Sequence, residues 1–302
     1  MSRPLLFFIH NPHSNQGERT DDVRGLERVL GGRYPWRQTT VAGEASVIAR
    51  EAALEGAEAI IAVGGDGTVH EIVNALMSLP PSARPKLGIL PVGGGNDFAF
   101  AAGIPTDLQQ ALDVILRGET IASDIGSIDM GEGVGFWTNT LGLGFDAKVV
   151  VQSRRFRSLR GRALYLVSTL LTLIRDHEAF EIELSVDHHR FRERTLMLTL
   201  GNGPREGGGF YTTPNSRIDD GQLEMLLAKP VSRLMMLSLL PRVLRGTHLS
   251  SSAFFTRSFH RLSLSSDRPL VIHADGEILA IPADGIRRIT VEIQPEAIRV
   301  IR

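Results

Sequence analysis

The sequence of 302 residues contains no cysteine, which excludes disulfides and thiolate-held metals and suits a reducing compartment such as the cytoplasm. An excess of one charge is also missing. Lys and Arg number 33 against 34 acids, so no whole-protein field draws in nucleic acid or an anionic bilayer, and nucleic acid is not an expected partner. No long hydrophobic run occurs either. The longest, Ala163 to Ile174, falls short of the roughly 20 residues a spanning helix needs. Met1-Ser2-Arg3-Pro4 lacks the charged-then-apolar pattern of a secretory leader, and none is expected. The nine histidines form no HExxH or HxxxH pair; His10 with His13 and His188 with His189 read as loop or strand residues.

What is present is an ordinary globular composition, 42% hydrophobic and 22% charged, in a chain long enough for one large domain or two. To about Asp129, short apolar runs alternate with stretches of helical period, the pattern of βα units around a parallel sheet. Strands are expected at Leu5–Ile9, Ala59–Val63 and Leu87–Pro91, with an edge strand leading to Thr39 and helices over Asp21–Leu30 and Gly43–Glu55. Beyond it, strands are expected at Trp137–Leu141, Glu181–Val186, Arg194–Leu200, Gln222–Ala228, His260–Ser265 and Arg288–Ile293, interrupted by helices near Gly161–Arg175 and Val231–Leu244. The expected organisation is an α/β domain over 1–129, to which a tail from about 295 to 302 returns, and a β-rich antiparallel, sandwich-like domain over 130–294.

Two strands of the first half run directly into glycine turns that open helices. One is Gly64-Gly65-Asp66-Gly67-Thr68; the other is Gly93-Gly94-Gly95, followed by Asn96-Asp97-Phe98-Ala99. Glycines there let the backbone approach a phosphate, and the helix start behind them favours an anion. Asp66 stands where a magnesium-bound phosphate needs a carboxylate; the plainer reading is a tight turn capped by Asp66 and Thr68. No Gly-Lys-Ser/Thr follows, so this is not a Walker loop. Strand carboxyl ends border the ligand crevice of open α/β sheets, so both turns are expected to face one site.

In order, Asn11-Pro12-His13-Ser14-Asn15, Thr39 before Gly43-Glu44-Ala45, Gly64 to Thr68 with Glu71, and Gly93 to Ala99 resemble the nucleotide-binding segments of the diacylglycerol kinase catalytic-domain family, bacterial branch. Asn139 with Gly142-Leu143-Gly144-Phe145-Asp146-Ala147, Asn202 with Gly207-Gly208-Gly209, and Asp275-Gly276-Glu277 continue the likeness across nearly the whole chain. Asn15 stands in place of the usual Gly, His70 of Asn, Gly94 of a Thr, and Phe100 of Arg.

The resemblance implies a first domain like that of phosphofructokinases and NAD kinases, and an ATP- and Mg2+-dependent kinase of phospholipid biosynthesis acting on a lipid hydroxyl, diacylglycerol-like or phosphatidylglycerol-like. Asn11, Ser14, Asn15, Thr39, Gly64, Gly65, Asp66, Gly67, Thr68, Glu71, Gly93, Gly94, Gly95 and Asn96 would bind nucleotide. Asp66 and Asp97 would hold magnesium, and Asp275 or Glu277 would be the base. It also implies a second, structural magnesium at Asp220 with the carbonyls of Arg217 and Gln222; the plainer reading is a capped turn. Alternatives are an NAD-kinase-like enzyme and a non-catalytic lipid-binding homologue. Arg154, Arg155, Arg157, Arg160 and Arg162 before the apolar run, and Met235, Met236, Leu239 and Leu240 before Arg242 and Arg245, suit peripheral contact with the inner membrane face.

Overall fold

The computed structural model describes residues 5–131, 133–156, 159 and 161–302, so Arg157 and Arg160 lie outside the described residues. The chain divides into two compact units. The first runs to Ser123 and includes Glu296–Arg302; the second is Asp124–Pro295.

The first unit is a parallel sheet in the order Trp36–Gln38, Leu6–His10, Ala59–Gly64, Lys86–Pro91, completed by the end of the long strand Arg288–Ile301 through the pairing of Val300 with Leu87. Leu6–His10 and Ala59–Gly64 are buried along their whole length, as strands covered on both faces must be. Helices Thr20–Leu30, Glu44–Leu54, Asp66–Met77 and Leu108–Arg117 supply that cover. The last of these was not among the expected elements, although Asp107 caps it by accepting from Gln110 N and Gly118 ends it in the left-handed region.

The second unit is a β-sandwich. One antiparallel sheet follows the order Phe254–Phe259, Leu223–Ala228, Met197–Gly201, Thr140–Gly144, Ile272–Ala274, Glu277–Ala280. The other pairs the start of Arg288–Ile301 with Arg261–Ser266, then Phe180–Val186 and His189–Thr195. Leu141, Leu143, Leu198 and Ile272 of the first sheet meet Ile182, Leu184, Leu262 and Val291 of the second in one core. Trp137, fully buried, lies opposite Gly126, where a β-carbon would fall 2.1 Å from the indole; only a glycine admits the ring.

Three expectations need correction here. Trp137–Leu141 is not one strand: Val134–Trp137 and Thr140–Gly144 are separated at Thr138 and Asn139, whose amides leave the ladder for the Asp275 carboxylate. Arg194–Leu200 likewise breaks at Leu196 into two strands. A third helix, Phe145–Ser153, joins Gly161–Arg175 and Arg233–Val243 in this unit; it is buried on nearly every side and therefore carries no amphipathic signature. Within Gly161–Arg175, Ser168, Thr169 and Thr172 return their hydroxyls to carbonyls one turn back, which lets polar residues sit in an apolar helix.

Candidate active site

In the first unit the two glycine turns meet backbone to backbone. A β-carbon on Gly93 would lie 2.4 Å from Gly65 Cα, and one on Gly65 would lie 2.9 Å from Gly93 Cα, so neither position tolerates a side chain. Asp66 binds the pair together, because its Oδ1 accepts from Asp97 N at 2.7 Å and Phe98 N at 3.1 Å and so caps the short helix Asp97–Ala101. Asn96, at φ 52°, closes the second turn on itself, accepting from Gly93 N at 2.9 Å and donating to Gly93 O at 2.8 Å.

The opening loop is fastened to the same place. Asn11 Nδ2 donates to Thr68 Oγ1 at 3.2 Å, and Ser14 Oγ accepts from Gly65 N at 3.3 Å. Asn15 has φ 49°, a left-handed conformation that glycine adopts freely and asparagine tolerates, which accounts for the replacement in this chain. Glu71 accepts from Gly43 N and Ala45 N at 2.9 and 3.0 Å, and Thr39 N donates to His10 O. The structure thus brings Asn11, Ser14, Gly64–Thr68 and Gly93–Asp97 together, with Glu71 anchoring the loop that follows Thr39. In these contacts Glu71, Asn96 and Asp66 hold main-chain groups in place. They shape the cradle.

In the second unit, Asp275 and Gly276 form the two-residue turn between Ile272–Ala274 and Glu277–Ala280. Their φ values of 51° and 84° are of the kind a type I′ hairpin requires. Both Asp275 oxygens are occupied: Oδ2 accepts from Thr138 N (2.8 Å) and Thr138 Oγ1 (3.0 Å), Oδ1 from Asn139 N (2.8 Å) and Thr140 N (3.2 Å). Glu277, half exposed, pairs with Arg154 Nη2 at 2.7 Å. Of the two acids in this turn, Asp275 is the anchor and Glu277 the one presented outward.

Behind the turn lies a group that sequence spacing does not reveal. Asp146, Glu206 and His273 are all buried, with His273 Nε2 at 3.5 Å from Asp146 Oδ2 and 3.9 Å from Glu206 Oε2. Thr199 and Thr140 donate hydroxyls to Asp146 and Glu206. Burial pushes the Asp146 carboxyl up, and hydrogen bonds from Thr199 and Glu206 act against it. These residues are some 60 positions apart. The one usable signal was that His273 stands two residues before Asp275, in the strand that leads into the turn.

Asp146 and Glu206, with Thr169, Thr212 and Lys229, are the polar residues of an otherwise apolar cavity lined by Phe145, Leu173, Leu226, Met236, Leu239 and Phe254. At the Arg217–Gln222 turn, Asp220 Oδ1 accepts from Gln222 N at 3.1 Å, Arg217 Nε reaches Asp219 at 3.2 Å, and Asp124 Oδ2 accepts from Gly221 N at 2.7 Å. The nearby Glu224 carboxyl is pushed up by burial and by the Asp220 charge. Of the arginines expected to face a bilayer, Arg154 holds Glu277 and Arg162 donates to Gly208 O. Among the described residues no helix is long and apolar enough to cross a membrane.

Backbone-lined turns at parallel strand ends are the part with which a phosphotransferase holds phosphates. Residues 5–128 match the family described as "Diacylglycerol kinase catalytic domain", and 139–302 the "YegS C-terminal NAD kinase beta sandwich-like domain". A protein of Yersinia enterocolitica serotype O:8 / biotype 1B named "Probable lipid kinase YegS-like" is 30% identical over 302 residues, 99% of this chain and 96% of its own. One of the same name from Chromohalobacter salexigens is 31% identical over 90% of this chain and 86% of its own. The crystal structure of a diacylglycerol kinase from Bacillus anthracis str. Sterne shares the fold, with a TM-score of 0.73 at 20% identity over 100% of this chain and 97% of that one. The chain belongs to the diacylglycerol kinase catalytic-domain family, in the YegS-like branch, and is a kinase.

Proposed function

We propose that the enzyme transfers the γ-phosphate of ATP to a hydroxyl of a lipid, diacylglycerol-like or phosphatidylglycerol-like. The observation that supports the lipid reading is the apolar cavity of the second unit, about 80 Å³, whose lining of Phe145, Leu173, Leu226 and Phe254 suits part of an acyl chain. A water-soluble acceptor has no use for such a lining.

The backbone amides of the two glycine turns hold the phosphates, at the start of the helix Asp66–Met77. Asp66 and Asp97 would offer the hard oxygen donors that Mg2+ takes, and the ion would supply charge neutralisation on the phosphates. Glu277 accepts the proton of the lipid hydroxyl, because Asp275 already has four donors on its two oxygens. Arg154 holds Glu277 until the acceptor arrives. The Asp220 turn, with a carboxylate and main-chain carbonyls, is an all-oxygen set suited to a structural Mg2+. Contact with an inner membrane surface falls to the helix Arg233–Val243, where Leu234 is 79% exposed in the first turn next to Arg233 and Arg242 lies in the last turn.

The test is transfer of radiolabel from γ-labelled ATP to vesicles containing diacylglycerol or phosphatidylglycerol. Label is expected in the lipid extract, and Glu277→Gln is expected to lower turnover by about 10²-fold or more in a folded protein. Label found only in water-soluble products would end the lipid reading. Full turnover in Glu277→Gln with loss in Asp275→Asn would move the base to Asp275.

A further inference from the structure

His273 is 1% exposed, and its ring is shared between two quite different neighbours. Nδ1 accepts the main-chain amide of Gly276 at 3.4 Å, closing the Asp275–Gly276 turn from the inside. Nε2 faces Asp146 and Glu206 at ion-pair range without hydrogen-bond geometry to either. A neutral imidazole that accepts at Nδ1 carries its proton at Nε2, so the ring gives a lone pair to the turn and turns its N–H toward the acids without hydrogen-bonding either. The three side chains lie within 4.8 Å of one another, a spacing a metal ion could span. Yet in this tautomer Nε2 has no lone pair to offer one.

Gly142 makes the placement possible. It pairs directly with His273 across the sheet, and a β-carbon there would fall 2.2 Å from His273 Nε2 and 2.3 Å from Asp146 Oδ2. The ring therefore lies over bare backbone. Asp275 at φ 51° is a left-handed residue that is not glycine, a conformation that persists when its surroundings enforce it. Its carboxylate is tied to residues 138–140 on one side; on the other, the Gly276 amide is tied to His273.

We propose that His273 is a positioning residue for phosphoryl transfer: through Nδ1 it fixes the Gly276 amide and so the direction in which the next residue, Glu277, leaves the turn, while Nε2 serves the buried acids. This rests on Glu277 being the proton acceptor. The two ring nitrogens have separate duties, one for activity and one for stability.

Two near-isosteric replacements separate them. In His273→Asn the amide oxygen stands near the place of Nδ1, keeping the acceptor and losing the N–H to the acids. In His273→Gln the amide nitrogen stands near Nε2, keeping the donor and losing the acceptor. Hydrogen exchange at the Gly276 amide is expected to stay near wild type in His273→Asn and to quicken about tenfold in His273→Gln. Melting temperature should do the reverse, falling by about 5 °C in His273→Asn and by less than about 2 °C in His273→Gln. Turnover should fall about tenfold in His273→Gln with KM for ATP unchanged, and stay within about threefold in His273→Asn.

Equal exchange in the two variants, or wild-type exchange in His273→Gln, overturns the proposal. A wild-type melting temperature raised by Zn2+ and lowered by a chelator, with both responses lost in His273→Asn, overturns it as well, since Nε2 would then be a metal ligand. If the exchange results divide as expected but the wild-type protein labels no lipid, the hold on the turn stands and the lipid-kinase reading falls instead.

Discussion

In the first unit Asp66 ties a turn to amides 31 and 32 residues further on, in the next strand–turn–helix repeat; in the second, Asp275 ties its turn to amides 135 to 137 residues back. Each carboxylate does the same work, taking up main-chain N–H groups that a loop cannot otherwise satisfy. The first unit's parallel sheet delivers strand ends side by side, so neighbouring turns supply each other. The second unit's antiparallel sheet places a hairpin next to a strand from far along the chain, and its polar groups collect in the interior as well as at the edge. One unit is built from near repeats, the other from distant meetings.

That contrast can be measured, because each of the two tryptophans reports on one unit: Trp36, stacked on Phe8 at 4.6 Å, in the first, and Trp137 in the second. With the other tryptophan changed to Phe, denaturant titration of fluorescence follows one unit at a time. Asp275→Ala leaves three amides and a hydroxyl without their acceptor and should cost the second unit about 3 kcal/mol or more. Gly93→Ala forces a methyl against the Gly65 backbone and should cost the first unit about 2 kcal/mol. Asp66→Ala loses two amide contacts and should cost about 1–2 kcal/mol, read by Trp36. An Asp66→Ala cost equal to that of Asp275→Ala would break the comparison.

Smaller effects sharpen it. Burial holds both His10, in the first unit, and His248, in the second, below the ordinary histidine pKa. The unfolded chain then binds protons that the folded one refuses, so stability is fully present above about pH 6.5 and declines as pH falls below it. Thermal melts from pH 7.5 to 5.5 should show this decline at both tryptophans, and His248→Phe should flatten it at Trp137 alone. The least effect belongs to Asn15→Gly, which keeps the left-handed φ and should shift the first unit by under about 0.5 kcal/mol.

The sheet and the glycine turns of the first unit were legible because strand, turn and helix follow one another within about twenty residues, and their apolar period changes where the turn begins. The two-layer character of the second unit was also legible, from strands such as Phe180–Val186 whose buried residues alternate. What escaped has a common cause. The helix Phe145–Ser153 is buried on too many sides to show a face. Trp137–Leu141 looked continuous because nothing near it announces that Asp275 will take its amides. Glu206 and His273 acquire meaning only when three elements meet. Local spacing also cannot say whether a motif residue touches a ligand or shapes the loop that does. Glu71, Asn96 and Asp275 all have main-chain partners of the second kind.

The strand Arg288–Ile301 has a consequence for synthesis. Its last residues complete the first unit's sheet, Val300 beside Leu87 and Arg302 N donating to Glu119 O, although the whole second unit is encoded between them. At ordinary translation rates, on the order of ten to thirty seconds separate the emergence of Ser123 from that of its missing edge partner. During that interval the Lys86–Pro91 strand stands unpaired on one side, a template for any extended peptide that meets it. A nascent chain of this kind is an expected client of ribosome-associated chaperones until its C-terminal strand arrives.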